Sequence, residues 1–183
     1  NLPAPTSSFV GRTALIREVT GFIRQSDVRL VTLVGPGGTG KSRLGLHAAA
    51  LLLPDFEDGA FLITLASLRQ ADLVPGTIAA ALDIKQNDNR PIIDSVTDAL
   101  QKKEMLLLID NLDQVQSAVT HINTLVSKCP GVKVLVTSRE ALRVPGEQVY
   151  PVLPLALPEA TASVETLSQS EAVQLFMDRA QLQ

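Results

Sequence analysis

Residues 30–44 read LVTLVGPGGTGKSRL. A run of apolar, β-branched residues ends abruptly in a glycine cluster, and the cluster ends in Lys41 and Ser42. The spacing fits G-x-x-x-x-G-K-[ST] at Gly35, Gly40, Lys41 and Ser42. A buried strand, a flexible turn and a helix start are thereby fixed in sequence. A glycine-rich turn can aim successive backbone N–H groups inward and form a concave anion site. The helix that follows adds free N–H groups and a positive dipole end. On this reading Lys41 reaches the β- and γ-phosphates of a nucleotide, and the Ser42 hydroxyl binds Mg²⁺. Gly35, Gly37, Gly38, Thr39, Gly40, Lys41, Ser42 and Arg43 form the candidate nucleotide-binding set. Arg43, taken alone, also reads as a solvated helix residue.

Further apolar runs suit buried strands at 60–65, 105–110 and 132–137, with a fainter one at 148–152. They show little alternation, as expected of parallel strands covered on both faces. Leu15, Ile16, Val19, Phe22 and Ile23 mark one face of a helix over 13–25. Helical patterns follow at 41–53 (stopped by Pro54), 71–82, 91–102 and 115–127, the middle two flanking the polar loop KQNDNRP. Strand and helix alternate, so the expected class is α/β, a three-layer sandwich on a mostly parallel five-stranded sheet.

The run MLLLID ends in Asp110. A carboxylate closing so apolar a strand needs a reason, and the carboxyl edge of a parallel sheet is where ligands bind. Asp110 there can hold Mg²⁺ together with Ser42. Asp113 has two readings: it polarises an attacking water, or it caps the next helix as a D-x-x-Q box with Gln116. Asn111 cannot act as a base and could orient a water. In VLVTSRE, Thr137, Ser138 and Arg139 emerge at the next strand end, where Arg139 either contacts a γ-phosphate or simply opens a short helix. Lys41, Asp110, Asp113 and Arg139 are thus the candidate catalytic residues. His47 and His121 read as ordinary helix residues, and Cys129 as a small residue at a helix end.

Composition narrows the remaining classes. Apolar residues make up 45% of the 183, the net charge is −3 and there is one cysteine. These favour a folded core and a reducing, cytoplasmic setting over a disulfide scaffold. No dense basic run or long apolar run points to nucleic acid or membrane. The start, NLPAPTSS, reads as a linker over 1–8; the end, SQSEAVQLFMDRAQLQ, stops inside a helical pattern, as in a piece of a longer protein.

Together these motifs resemble the STAND class of P-loop ATPases, related to NB-ARC domains, and more narrowly the ATPase module of bacterial AfsR and LuxR/MalT-type regulators. FVGR is similar to the family's N-terminal motif, LLLIDNLDQV to its Walker B region, VLVTSREALRVPGEQVYPVLPL to its sensor strand, and SEAVQLFMDRA to the first helix of a small helical domain. The resemblance implies a nucleotide-binding domain over 9–153 and a linker with the first part of a helical domain over 154–183. It implies that Val10 and Arg12 lie near adenine and ribose, that Asp110 coordinates the metal and that Arg139 senses the γ-phosphate. The implied activity is an ATP/ADP switch, Mg²⁺-dependent and slowly hydrolytic, able to form ATP-dependent homo-oligomers. The implied partners are C-terminal helical and repeat domains beyond residue 183 and an effector domain. Thr13 and Leu15 stand where the family often has acids, and Asp113 where it commonly has Glu. Two alternatives remain: a small-molecule phosphotransferase, for which no arginine-rich lid is legible between 71 and 103, and a non-hydrolysing ADP-bound scaffold. No N-K-x-D signature supports guanine.

Overall fold

The computed structural model describes residues 1–3, 9–85, 89–158 and 164–180. Most of the expected N-terminal linker (4–8), part of the polar loop (86–88), and the stretches 159–163 and 181–183 lie outside the described residues.

Five strands form one sheet: β1 (Leu30–Val34), β2 (Ala60–Thr64), β3 (Met105–Asp110), β4 (Val132–Ser138) and β5 (Glu147–Pro151). Their order is β2-β3-β4-β1-β5, and all four pairings are parallel. The helices are α1 (Thr13–Arg24), α2 (Lys41–Leu52), α3 (Val74–Ala81), α4 (Ile92–Leu100), α5 (Val119–Lys128), α6 (Val164–Gln169) and α7 (Glu171–Ala180).

Burial follows from the pleat. Along β3, Leu107 and Ile109 join one apolar layer, with Ile78, Val96 and Ile122. Leu106 and Leu108 join the other, with Val19, Ile23, Leu44 and Leu52. Successive side chains point to opposite faces, so a strand covered on both sides must be apolar at every position. That is why MLLLI lacks alternation.

Several boundaries move for physical reasons. The helix expected over 41–53 ends at Leu52, and a 3-10 turn, Leu53–Asp55, takes Pro54 near its start; proline has no N–H and is tolerated in a first turn. The stretch 71–82 splits into a 3-10 turn, Ala71–Leu73, and α3. The largest correction concerns 115–127. A 3-10 segment, Leu112–Ala118, kinks at Val115 (φ −140°, ψ 57°), and α5 starts only at Val119 with Ala118 at its N-cap. Leu112, Val115 and Ala118 are all buried, and the non-helical backbone at Val115 breaks the stretch into short 3-10 turns, so a continuous α-helix cannot begin before Ala118. The reading of Asp113 as cap of that helix is therefore wrong.

Candidate nucleotide site

The parallel sheet delivers three strand ends to one edge. Val34 of β1 is level with Ser138 of β4, and Ile109 of β3 with Val136. The loop 35–40 follows β1, Asp110 closes β3 and Arg139 follows β4. Because β4 lies between β1 and β3, its last residues separate the glycine loop from Asp110.

Within the loop, Gly38 and Gly40 have φ of +80° and +83°, a conformation that glycine adopts without strain. Gly40 is the N-cap of α2 and brings no capping side chain, so the first N–H groups of the helix face the loop's concavity. The Lys41 ammonium folds back and donates to the carbonyls of Gly35 (2.7 Å) and Pro36 (2.8 Å). Burial lowers its pKa from the ordinary lysine value, while Asp113 pulls the other way. Thr39 Oγ1 donates to the Pro36 carbonyl at 3.1 Å.

Asp110 is held from β4. The Thr137 hydroxyl donates to Asp110 Oδ1 (2.5 Å) and accepts from the backbone N–H of Asn111 (2.9 Å). Thr137 is only 1% exposed. Asn111 takes a left-handed backbone (φ 64°), which asparagine tolerates better than most residues. Asp113 forms an ion pair with Arg139, Nε to Oδ2 3.1 Å, in which the carboxylate is nearly buried and the guanidinium largely exposed.

Two cavities adjoin at the loop. One, of about 260 Å³, is lined by residues 37, 38 and 40–43 together with Asn111, Asp113 and Arg139. The other, of about 340 Å³, is lined by Phe9, Val10, Arg12, Thr39, Pro154, Leu155, Leu175 and Arg179, and shares Gly38, Gly40 and Arg43 with the first. The first is ringed by charge and N–H groups, the second is largely apolar: one suits phosphates, the other a base. Gly35 and Asp110 are not among the lining residues of either. Gly35 sits behind the loop, and Asp110 is linked to the first cavity through Thr137 and Asn111.

Arg12 does not point a free guanidinium into the second cavity. It donates to the Thr39 carbonyl and to the Leu153 carbonyl (2.9 Å), tying the loop to the chain leaving β5. Its backbone N–H donates to Glu171 Oε1 at 2.8 Å. His47 stacks on Phe9, with ring centroids 4.5 Å apart and planes 14° from parallel, and so backs one wall of that cavity.

Among the described residues, no three His, Cys, Asp or Glu side chains lie close enough to hold a metal ion. A hydroxyl and one carboxylate, Ser42 and Asp110, are the donor set that suits Mg²⁺ bound mainly through phosphates and water. Sequence reading missed Thr137 as the group holding Asp110, and Glu171 and Leu175 altogether. The polar end of VLVTSR signalled the first. Glu171, Leu175 and Arg179, at i, i+4 and i+8, share one helix face, the pattern that pointed to the others.

Replacing Thr137 by valine keeps the shape and removes the hydroxyl. It should cost about 1–3 kcal/mol by leaving buried polar groups unpaired, read as a lower urea midpoint. Thr137→Ser should retain most of the stability, and equal midpoints for native and valine forms would contradict the contact.

This fold and this edge define a P-loop ATPase domain. The chain belongs to the AAA domain family, whose profile matches residues 23–144. It is 34% identical over 175 residues to an uncharacterized protein of Mycobacterium tuberculosis, Rv0894, covering 95% of this chain and 41% of that one. It is 27% identical over 149 residues to the regulatory protein AfsR of Streptomyces griseus, covering 75% of this chain and 15% of that one. The chain thus spans about two fifths of the first relative and about a seventh of the second. In fold it is similar to Cdc6p from Pyrobaculum aerophilum (TM-score 0.70, 14% identity, 98% of this chain and 52% of that one). It is also similar in fold to PH0952 of Pyrococcus horikoshii, a Signal Transduction ATPase with Numerous Domains (TM-score 0.52, 19% identity, 96% and 28%). No described helix is long and apolar enough to cross a membrane.

Proposed function

We propose that the chain is an ATP/ADP-binding switch with slow, Mg²⁺-dependent hydrolysis, working in the cytoplasm inside a multidomain bacterial signalling or transcription regulator. The carrying observation is the cavity in which the glycine loop, Lys41 and Ser42 meet Asn111, Asp113 and Arg139 from two other strand ends. AfsR, a regulatory protein, and a signal-transduction ATPase of the same fold support the regulatory setting.

The residues divide the work. Loop N–H groups and Lys41 would bind the β- and γ-phosphates, and the second cavity would take adenine against Val10 and the Arg12 backbone. Ser42 and Asp110 would hold Mg²⁺, which supplies charge neutralisation on the phosphates. Arg139 would exchange Asp113 for the γ-phosphate, since a charge-assisted bond to phosphate competes well with a half-exposed ion pair. That exchange also frees Asp113 to polarise water. Rearrangement before chemistry makes turnover slow.

The sensor role has its own test. Arg139→Ala should weaken ATP binding about tenfold, the worth of one charge-assisted hydrogen bond, and leave ADP within about twofold. Titration calorimetry reads both, and an equal loss for the two nucleotides would rule the role out. A second reading, an ADP-holding scaffold without turnover, is favoured by the Asp113–Arg139 pair itself. Phosphate release at saturating ATP separates the two readings.

A further inference from the structure

The base-side cavity has walls from opposite ends of the chain: Phe9, Val10 and Arg12 on one side, Leu175 and Arg179 of α7 on the other. The bond between the Arg12 N–H and Glu171 Oε1, 2.8 Å long, links them across 159 residues of sequence. Glu171 lies in the first turn of α7, on the face it shares with Leu175 and Arg179. Holding Glu171 therefore sets where those two side chains meet the cavity. No residue of α7 is fully buried, so burial of an apolar face alone does not seat the helix. The approach is close: a Cβ on Gly11 (φ +72°) would lie 2.6 Å from the Glu171 carboxyl carbon. The same carboxylate opposes the effect of burial on the Arg12 guanidinium, which spans the glycine loop and Leu153.

From this geometry we infer that Glu171 is a positioning residue that clamps α7 over the nucleoside half of the site and makes no direct contact with the phosphate half. Nucleoside binding and the seating of α7 are then one equilibrium: a ligand with a base favours the clamped helix, and a ligand made of phosphate alone does not. The inference rests on the nucleotide reading above and deepens it, because it assigns the route by which a bound base acts on the C-terminal segment.

Two ligands separate the halves. ADP and inorganic tripolyphosphate, each with Mg²⁺, would be titrated calorimetrically into the 183-residue chain, Glu171→Ala and Glu171→Gln. Glu171→Ala should weaken ADP about tenfold, as the loss of one charge-assisted bond implies. Tripolyphosphate should stay within about twofold, and its retained binding also reports an intact fold. Glu171→Gln keeps an acceptor oxygen for the Arg12 N–H and should recover most of the ADP affinity. Equal losses for both ligands, unchanged ADP affinity in Glu171→Ala, or no recovery with glutamine would overturn the clamp. A native chain that binds neither ligand would instead overturn the nucleotide reading, and the clamp with it.

Discussion

Lys41→Ala should remove measurable Mg-nucleotide binding while leaving the fold in place. The Lys41 ammonium is positioned at the mouth of the glycine loop by the carbonyls of Gly35 and Pro36. Phosphate oxygens carry more charge than those carbonyls and would take it over. Contacts to two phosphates at about 1.5–3 kcal/mol each imply a loss of at least about a hundredfold in affinity. The side chain is only partly buried and meets the loop's own carbonyls, so the ligand-free unfolding temperature should hardly move. Titration calorimetry with ADP and Mg²⁺ reads the first effect, and calorimetric melting without ligand the second. Native-like affinity in Lys41→Ala would place the nucleotide elsewhere.

Gly35→Ala should have the largest effect on stability of any change in the loop. A Cβ there would lie 2.5 Å from the Val152 carbonyl oxygen. That oxygen cannot easily retreat, because the Val152 N–H donates to the Val34 carbonyl at 2.7 Å. Relief requires the chain leaving β5 to move off β1. Overpacking against backbone costs about 2–3 kcal/mol, or about 5–10 °C in a chain of this size. Gly37 is the control: a Cβ there meets nothing within 4 Å, so Gly37→Ala should change the melting temperature by about 2 °C or less. Equal melting temperatures for the two variants would mean that Val152 does not confine Gly35. The first glycine of the motif is thus set by sheet packing, and those at 38 and 40 by backbone conformation.

These two positions show what the sequence disclosed. Pattern alone placed the loop, the strand before it and the helix after it, because buried parallel strands must be apolar throughout and a glycine run must interrupt them. Strands β1 and β3 begin and end where the apolar runs do. The faint fifth run pairs with β1 through its backbone, and its flank confines Gly35, which no local pattern announces. The helix expected over 115–127 exists from Val119 onward, and only its start falls too early, because apolar residues at a spacing of three satisfy an α-helical and a 3-10 repeat over one or two turns alike. Asp113 followed that error: a capping box was legible only if the α-helix began there. Its ion pair with Arg139 is a tertiary contact over 26 residues of sequence and leaves no local trace. Arg12 was placed near the base by resemblance. The structure puts it at that cavity with its guanidinium spent on two carbonyls, a fact about chain crossings and not about residue type.

Thermal unfolding of the native chain and Lys41→Ala with ADP, ATP or GTP, each with and without Mg²⁺, decides whether the glycine loop holds an adenine nucleotide. A ligand at about 100 times its dissociation constant adds roughly 2.7 kcal/mol, here about 5–10 °C. Mg-ADP and Mg-ATP should produce that shift in the native chain, GTP should produce little, and Lys41→Ala should show none. The same shift in native and variant chains, or no shift with any nucleotide at millimolar concentration, would contradict it.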